Sequence, residues 1–318
     1  MKHLRYILFF AFYILTAYSI KAEKPVVQSG SYSTWMKNID DSTPLCKISI
    51  PGTHDSGASQ HGGVGIITQD ISIPTQLRQG IRCFDIRLQA MDNNKLGIYH
   101  GPFFQDIYWE ENVLTEFIDF LKRNPSETLI VFLKKENGKI TDYAHLLSVI
   151  LEKPEYQTYF MHDFRSDITL GNCRGKILFL HRDHAMDNYP GAECSGWEDN
   201  ATCTVTLSSK NGDKCFVTVE DEYQYSSVKE TDYKTQICIR NIEKMGAEPY
   251  NSELWGFTFV SATAVPVAGP IHFAKINNLI AKHIQKAGKK NCGIVLFDFS
   301  GSKNGKRLTK ALIDSNSQ

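Results

Sequence analysis

The side chains able to do chemistry stand at the ends of short apolar runs. His54 and Asp55 follow the first run, Arg87 closes the second, and His100 follows the third. Lys134, Arg182 and Asp221 follow the fourth, fifth and sixth, and Asp298 closes the eighth. An imidazole titrates near neutral pH, so two histidines can take up and deliver protons under ordinary conditions. A guanidinium is a planar fork matched to phosphate oxygens. A carboxylate beside an imidazole fixes its tautomer and stabilises the imidazolium. Any one of these residues reads equally well as a solvated loop residue; the signal is the position they share.

Eight runs carry that position: residues 46–50, 81–88, 96–99, 129–133, 176–180, 215–219, 255–260 and 293–297. Several are nearly continuous in apolar residues, as strands buried on both faces require. Helical periodicity appears at 113–122, 142–152 and 276–287, and Asn124-Pro125-Ser126 ends the first of these. The alternation predicts an α/β chain, an irregular (β/α)₈ TIM-type barrel in a single domain. The spacing is uneven, and 183–214 reads as loop or hairpin. In such a barrel the C-terminal strand ends share one face, and that face carries the chemistry.

The same residues sit in blocks that resemble bacterial phosphatidylinositol-specific phospholipase C. Ile48-Ser-Ile-Pro-Gly-Thr-His-Asp-Ser56 is similar to the family's hallmark around its first catalytic histidine. Gly80-Ile-Arg-Cys-Phe-Asp-Ile-Arg87 resembles the strand ending in the catalytic arginine, and Tyr99-His100-Gly101-Pro102 the second histidine. Asn124-Pro-Ser-Glu-Thr128, Leu133-Lys-Lys-Glu136, Gly175-Lys-Ile-Leu-Phe-Leu-His-Arg182, Val219-Glu-Asp-Glu-Tyr223 and Phe297-Asp298 follow in order. The resemblance runs from about residue 34 to the C-terminus, and its specificity lies in the order of the blocks.

The resemblance implies phosphodiester cleavage by an internal nucleophile, the inositol 2-hydroxyl, with His54 as base and His100 as acid. Asp298 would hold His54, Asp55 would pair with Arg87 and assist protonation of the leaving group, and Arg87 would stabilise the nonbridging oxygens. Lys134, Arg182 and Asp221 would bond the inositol hydroxyls, and Tyr223 would lie against the ring. Eukaryotic relatives carry a carboxylate at the position of Arg87 and bind calcium there; an arginine in its place implies metal-independent catalysis with no cofactor. Glu110, Glu111 and Glu136 read as dipole partners near helix starts rather than as calcium ligands. The implied substrates are phosphatidylinositol and glycosylphosphatidylinositol anchors at a membrane surface, acted on by a monomer. The family's membrane-facing tryptophans are missing from Gly62-Gly-Val-Gly-Ile-Ile67 and Ala262-Thr-Ala-Val-Pro-Val-Ala-Gly-Pro270, which leaves Ile66, Ile67, Val265 and Val267 to insert.

Composition agrees with an exported globular protein. Hydrophobic residues at 42% and charged residues at 22% exclude a disordered or collagen-like chain. Lys+Arg and Asp+Glu are both 35, so the chain lacks the basic excess of a nucleic-acid binder. Lys2 and Arg5, an apolar stretch at 7–20, and small residues at Ala17, Ser19 and Ala22 form the pattern of a secretory signal peptide over 1–22, ahead of a catalytic barrel over 23–318. The expected location is therefore extracellular or periplasmic, with peripheral contact to membranes. Losing Lys2, Arg5 and Lys21 takes the formal charge from 0 to −3, so attraction to anionic lipid needs a local patch. Among eight cysteines, Cys194, Cys203, Cys215 and Cys238 cluster and are expected to pair, whereas Cys83 and Cys292 read as buried thiols. The competing readings are a noncatalytic inositide- or glycan-binding barrel and a metal-dependent glycerophosphodiesterase. The first requires a lost catalytic residue, and Arg87 opposes the second.

Overall fold

Among the described residues eleven strands form one sheet, of which nine close into a barrel. The structure, a computed structural model, describes residues 32–185, 188–288 and 290–316; the expected leader over 1–22 lies outside them. The strands are β1 (Ile50–Thr53), β2 (Cys83–Ala90), β3 (Leu96–His100), β4 (Phe103–Tyr108), β5 (Leu129–Lys135), β6 (Ile177–His181), β7 (Ala192–Ser195), β8 (Thr202–Ser208), β9 (Lys214–Glu220), β10 (Trp255–Phe259) and β11 (Ile294–Phe297). The order β1-β11-β10-β9-β8-β7-β6-β5-β2 returns to β1 through Gly52↔Cys83 and Thr53↔Phe84. All neighbours in the ring are parallel except β8, which runs antiparallel to β7 and β9.

Side-chain alternation divides the apolar residues into two layers. Ile130, Phe132, Leu178, Leu180, Val217, Val219, Phe257, Ile294 and Leu296 fill the inner cluster. Val131, Leu133, Ile177, Phe179, Val295 and Phe297 face the helices. Strands buried on both faces are why those runs read as continuously apolar.

The structure departs from the eight-strand expectation at defined places. The run at 46–50 is a short 3-10 turn, Leu45–Lys47, and the strand begins only at Ile50. β3 is no barrel stave: it folds back antiparallel on β2 and pairs with β4 in a hairpin at the mouth. β7 and β8 stand in the ring in its stead, which raises the staves from eight to nine. β8 is threonine-rich and exposes alternate residues, so it shows no apolar run. The helix read at 113–122 spans Thr115–Arg123 after a π-helical turn, and that at 142–152 spans Ile140–Leu151. Ile276–Ala287 is helical as expected. Helices Thr231–Ala247 and Lys303–Ser315 escaped the sequence reading because they bury polar side chains, Lys234, Asn241 and Thr309 among them. The expected cysteine pairing is also corrected: Cys194, Cys203, Cys215 and Cys238 are all free thiols. They sit on β7, β8, β9 and the helix Thr231–Ala247, and Cys238 instead bonds to Glu220 at 3.0 Å. Cys83 and Cys292 are buried thiols, as read. No described helix is long and apolar enough to cross a membrane.

His181 points outward from β6 into the helical layer, against Tyr189, and its Nε2 donates to the Pro190 carbonyl at 3.0 Å. Burial depresses its pKa to about 4. The unfolded imidazole titrates near 6.5, so between these values the unfolded chain binds the extra proton. Stability is then full above about pH 6.5 and declines as pH falls toward 4, by on the order of 3 kcal/mol from this group. Thermal unfolding at pH 7 and pH 5 should show a smaller drop in Tm for His181→Gln than for the wild type; equal drops would assign the acid sensitivity elsewhere.

Candidate active site

The polar residues at the barrel mouth continue the inward series of each strand by one step. Inward Cys83 and Asp85 lead to Arg87, Ile130 and Phe132 to Lys134, and Leu178 and Leu180 to Arg182. Val217 and Val219 lead to Asp221, and Ile294 and Leu296 to Asp298. Gly52 on β1 leads to His54. A period of two therefore delivers six functional groups to one opening. His100 arrives differently, carried back over the mouth by the β3–β4 hairpin.

His54 stands at the centre. Its Nδ1 donates to Asp298 Oδ1 at 2.9 Å, which leaves Nε2 free to accept from Arg87 Nη2 at 3.0 Å. The ring packs edge-on to Phe259 beneath it. Burial disfavours the imidazolium, but Asp298 and then Asp55 outweigh burial and Arg87, and the His54 pKa lies above its ordinary value. Asp55 is buried, with Oδ2 at 3.4 Å from the Nε2 of both His54 and His100, while Oδ1 lies 3.0 Å from Arg87 Nε. Its backbone sits at φ 42, the left-handed region, and its N–H donates to Asp85 Oδ2 at 3.1 Å. His100 Nδ1 donates to the Ile66 carbonyl at 2.7 Å, so Nε2 is the atom facing the cleft.

Sequence reasoning left two further acids out of the set. Asp85 lies 3.5 Å from Arg87 Nη2. Burial would raise its pKa, yet Arg87, His54 and Arg182 bring it down to about 2. Glu136 reads in the sequence as a helix-dipole partner, but its Oε2 lies 3.7 Å from Arg87 Nη1 and its Oε1 accepts the Gly101 N–H at 2.6 Å. The other two tempting glutamates lie outside the site: Glu110 pairs with Lys153 and Glu111 with Lys95.

The opposite wall carries Lys134, Arg182, Asp221 and Tyr223. The Lys134 side chain makes no hydrogen bond among the described residues, and burial, then Arg87 and Arg182, lower its pKa. Arg182 lies 3.6 Å from Asp221. Its guanidinium stacks on Trp197, 3.8 Å from the ring centroid, and Trp197 Nε1 donates to Asp221 Oδ2 at 3.0 Å. Trp197 was missed because it lies in the loop-like stretch between β7 and β8; the one available signal was a tryptophan isolated in polar surroundings. Tyr223 stands at the rim, its hydroxyl donating to Asp199 at 3.1 Å. His61 is a surface residue paired with Asp106.

His54, Asp55 and Asp85 bring three ligand atoms close enough to hold a metal. Arg87 already lies within 3.5 Å of each of the three side chains. A divalent cation there would meet a fixed positive charge, so the donor set fits a guanidinium better than a metal.

Known proteins resemble this chain along most of its length. The family described as phosphatidylinositol-specific phospholipase C, X domain, matches residues 42–183. The 1-phosphatidylinositol phosphodiesterase of Listeria monocytogenes is 30% identical over 311 residues, spanning 92% of this chain and 90% of that protein. The protein of the same name from Staphylococcus aureus is 29% identical over 294 residues, 86% of this chain and 90% of that one. A solved structure of the S. aureus phosphatidylinositol-specific phospholipase C superposes with a TM-score of 0.79 at 27% identity, covering 91% of this chain and 98% of that one. The Listeria enzyme superposes at 0.71 with the same identity, covering 91% of this chain and all of that one.

The coupling of His54 to Asp298 has a direct readout. The imidazole of His54 should titrate above its ordinary value by nitrogen-detected NMR, and Asp298→Asn should lower that pKa. An unchanged value would mean that Asp298 orients the ring without charging it.

Proposed function

The chain belongs to the phosphatidylinositol-specific phospholipase C family, and we propose that it cleaves phosphatidylinositol as a lyase, releasing diacylglycerol and inositol 1,2-cyclic phosphate without a metal. The observation that carries this reading is Asp55 flanked by two imidazole Nε2 atoms, each 3.4 Å away, with Arg87 across the gap. The inositol 2-hydroxyl gives its proton to His54 Nε2 as its oxygen bonds to phosphorus. The bond from phosphorus to the diacylglycerol oxygen breaks, and that oxygen takes a proton from His100 Nε2. Arg87 turns from His54 to the nonbridging oxygens, where a preorganised donor is worth about 3–4 kcal/mol. Asp55 keeps Arg87 and His100 in register throughout.

Lys134, Arg182 and Asp221 bond the inositol hydroxyls, and Tyr223 closes over the ring. Trp197 holds Arg182 and Asp221 in place. A glycosylphosphatidylinositol anchor presents the same linkage to the same groups and is the second substrate of this proposal. Every group belongs to one chain, which suits a monomer. The leader pattern at 1–22 supports an exported enzyme.

The mouth also carries the surface proposed to meet lipid. Val265 and Val267 are 59% and 75% exposed, as the sequence suggested. Ile66 and Ile67 are only half-exposed; Val64, at 65%, takes the outward place on that loop.

Two experiments test the proposal. Phosphorus NMR of phosphatidylinositol turnover in excess EDTA should show a cyclic phosphate resonance with the wild type and none with His54→Ala; activity that requires added calcium would refute the metal-free assignment. Val64→Asp and Val267→Asp should each weaken binding to phosphatidylinositol vesicles about tenfold. Their turnover should fall more on vesicles than on a water-soluble inositol phosphodiester, and equal losses would remove these residues from the interface.

A further inference from the structure

His100 depends on a loop rather than on the barrel. Its Nδ1 is tied to the Ile66 carbonyl, and because a carbonyl only accepts, Nδ1 carries the hydrogen and the transferable proton sits on Nε2. Ile66 lies in a glycine-rich segment whose only regular structure is the short turn Gly63–Gly65. The His61–Asp106 pair and the Thr68 and Gln69 N–H groups on the Ala58 carbonyl help to hold that segment, and two further contacts set the path between them. At its start stands Gln105, a fully buried side chain from β4. Its Oε1 accepts the N–H groups of Gln60 and His61, both at 3.1 Å, and its Nε2 donates to the carbonyls of His61 at 3.0 Å and Phe103 at 3.1 Å. All four bonds go to backbone. At the turn itself stands Gly269 from the opposite rim loop, where an added Cβ would lie 2.1 Å from the Val64 carbonyl.

A buried amide that spends three of its four hydrogen bonds on one irregular segment, and the fourth on its own strand, ties that segment's path to β4. We infer that Gln105 is a positioning residue for proton delivery by His100, acting through the Ile66 carbonyl. Without it the segment shifts, the carbonyl leaves Nδ1, and the ring loses the orientation and tautomer that aim Nε2 at the leaving oxygen. The inference rests on the reading of His100 as the acid.

The test separates acid catalysis from general damage by changing the leaving group. A short-chain, monomeric phosphatidylinositol expels an alkoxide and needs a proton, whereas a nitrophenyl inositol phosphate expels a phenolate that leaves without one. His100→Ala serves as the reference. Gln105→Leu should lose kcat on the lipid by about tenfold or more beyond its loss on the aryl ester, with KM changing little on either. Gly269→Ala disturbs the same segment from its other side. Its backbone angles, φ −87 and ψ −179, are open to alanine, so its effect comes from the clash, and it should show the same selectivity. It also carries the test should Gln105→Leu fail to fold. Equal losses on both substrates, or none, would overturn the inference while leaving His100 as the acid. A His100→Ala variant without selectivity would instead overturn the acid assignment itself.

Discussion

β1 lies flush between β2 and β11 because Gly52 has no side chain. A Cβ there would stand 2.9 Å from the Cβ of Cys83 and 3.0 Å from Cγ of Leu296, so any larger residue would wedge the strands apart. That close approach closes the barrel and sets the heights of its strand ends. Gly52 is level with Leu296 in the parallel register. Two residues further along each chain, His54 and Asp298 are therefore level and face the same way, and the 2.9 Å bond between them follows. Gly52 is also level with Cys83, which places Arg87 above the same seam.

Closure concentrates charge in a partly buried space, where an unpaired ion costs several kcal/mol. Two arginines show how the molecule answers that cost. Arg82, at the foot of β2, is fully buried and bonds Glu127 and the carbonyls of Leu77, Ile81, Tyr32 and Ser33. With backbone and carboxylate on every side, it is a structural residue. Arg87, inward-facing near the other end of the same strand, meets only side chains: Asp55, Asp85, Glu136 and His54. Side chains can turn where backbone carbonyls cannot, so Arg87 can exchange partners. Lys134 and Arg182 repel each other on the same wall of the cleft.

Most of the barrel, and nearly all of the site, was legible in the sequence for one reason. A strand buried on both faces leaves an apolar run, and the polar residue that continues its inward series lands at the mouth. His54, Arg87, Lys134, Arg182, Asp221 and Asp298 all obey that rule. The rule is silent where burial does not produce an apolar run. β8 exposes alternate threonines to solvent, and the helix Thr231–Ala247 buries Lys234 against Glu220, so neither carried a signal. Trp197 reaches its place through a loop path that no periodicity encodes, and Gln105 is a buried polar residue on a hairpin strand whose neighbours are partly or fully exposed.

Residue types, their order and the period of two determined by themselves which groups line the opening and what chemistry they suit, because strand geometry is local and repeats. Tertiary structure alone decided the strand count, the return of β3 as a hairpin and the tautomers of both histidines. A tautomer depends on which acceptor lies within about 3 Å of each ring nitrogen. Asp298 is 244 residues from His54, and the Ile66 carbonyl is 34 from His100. Contacts at such separations exist only after the barrel has closed.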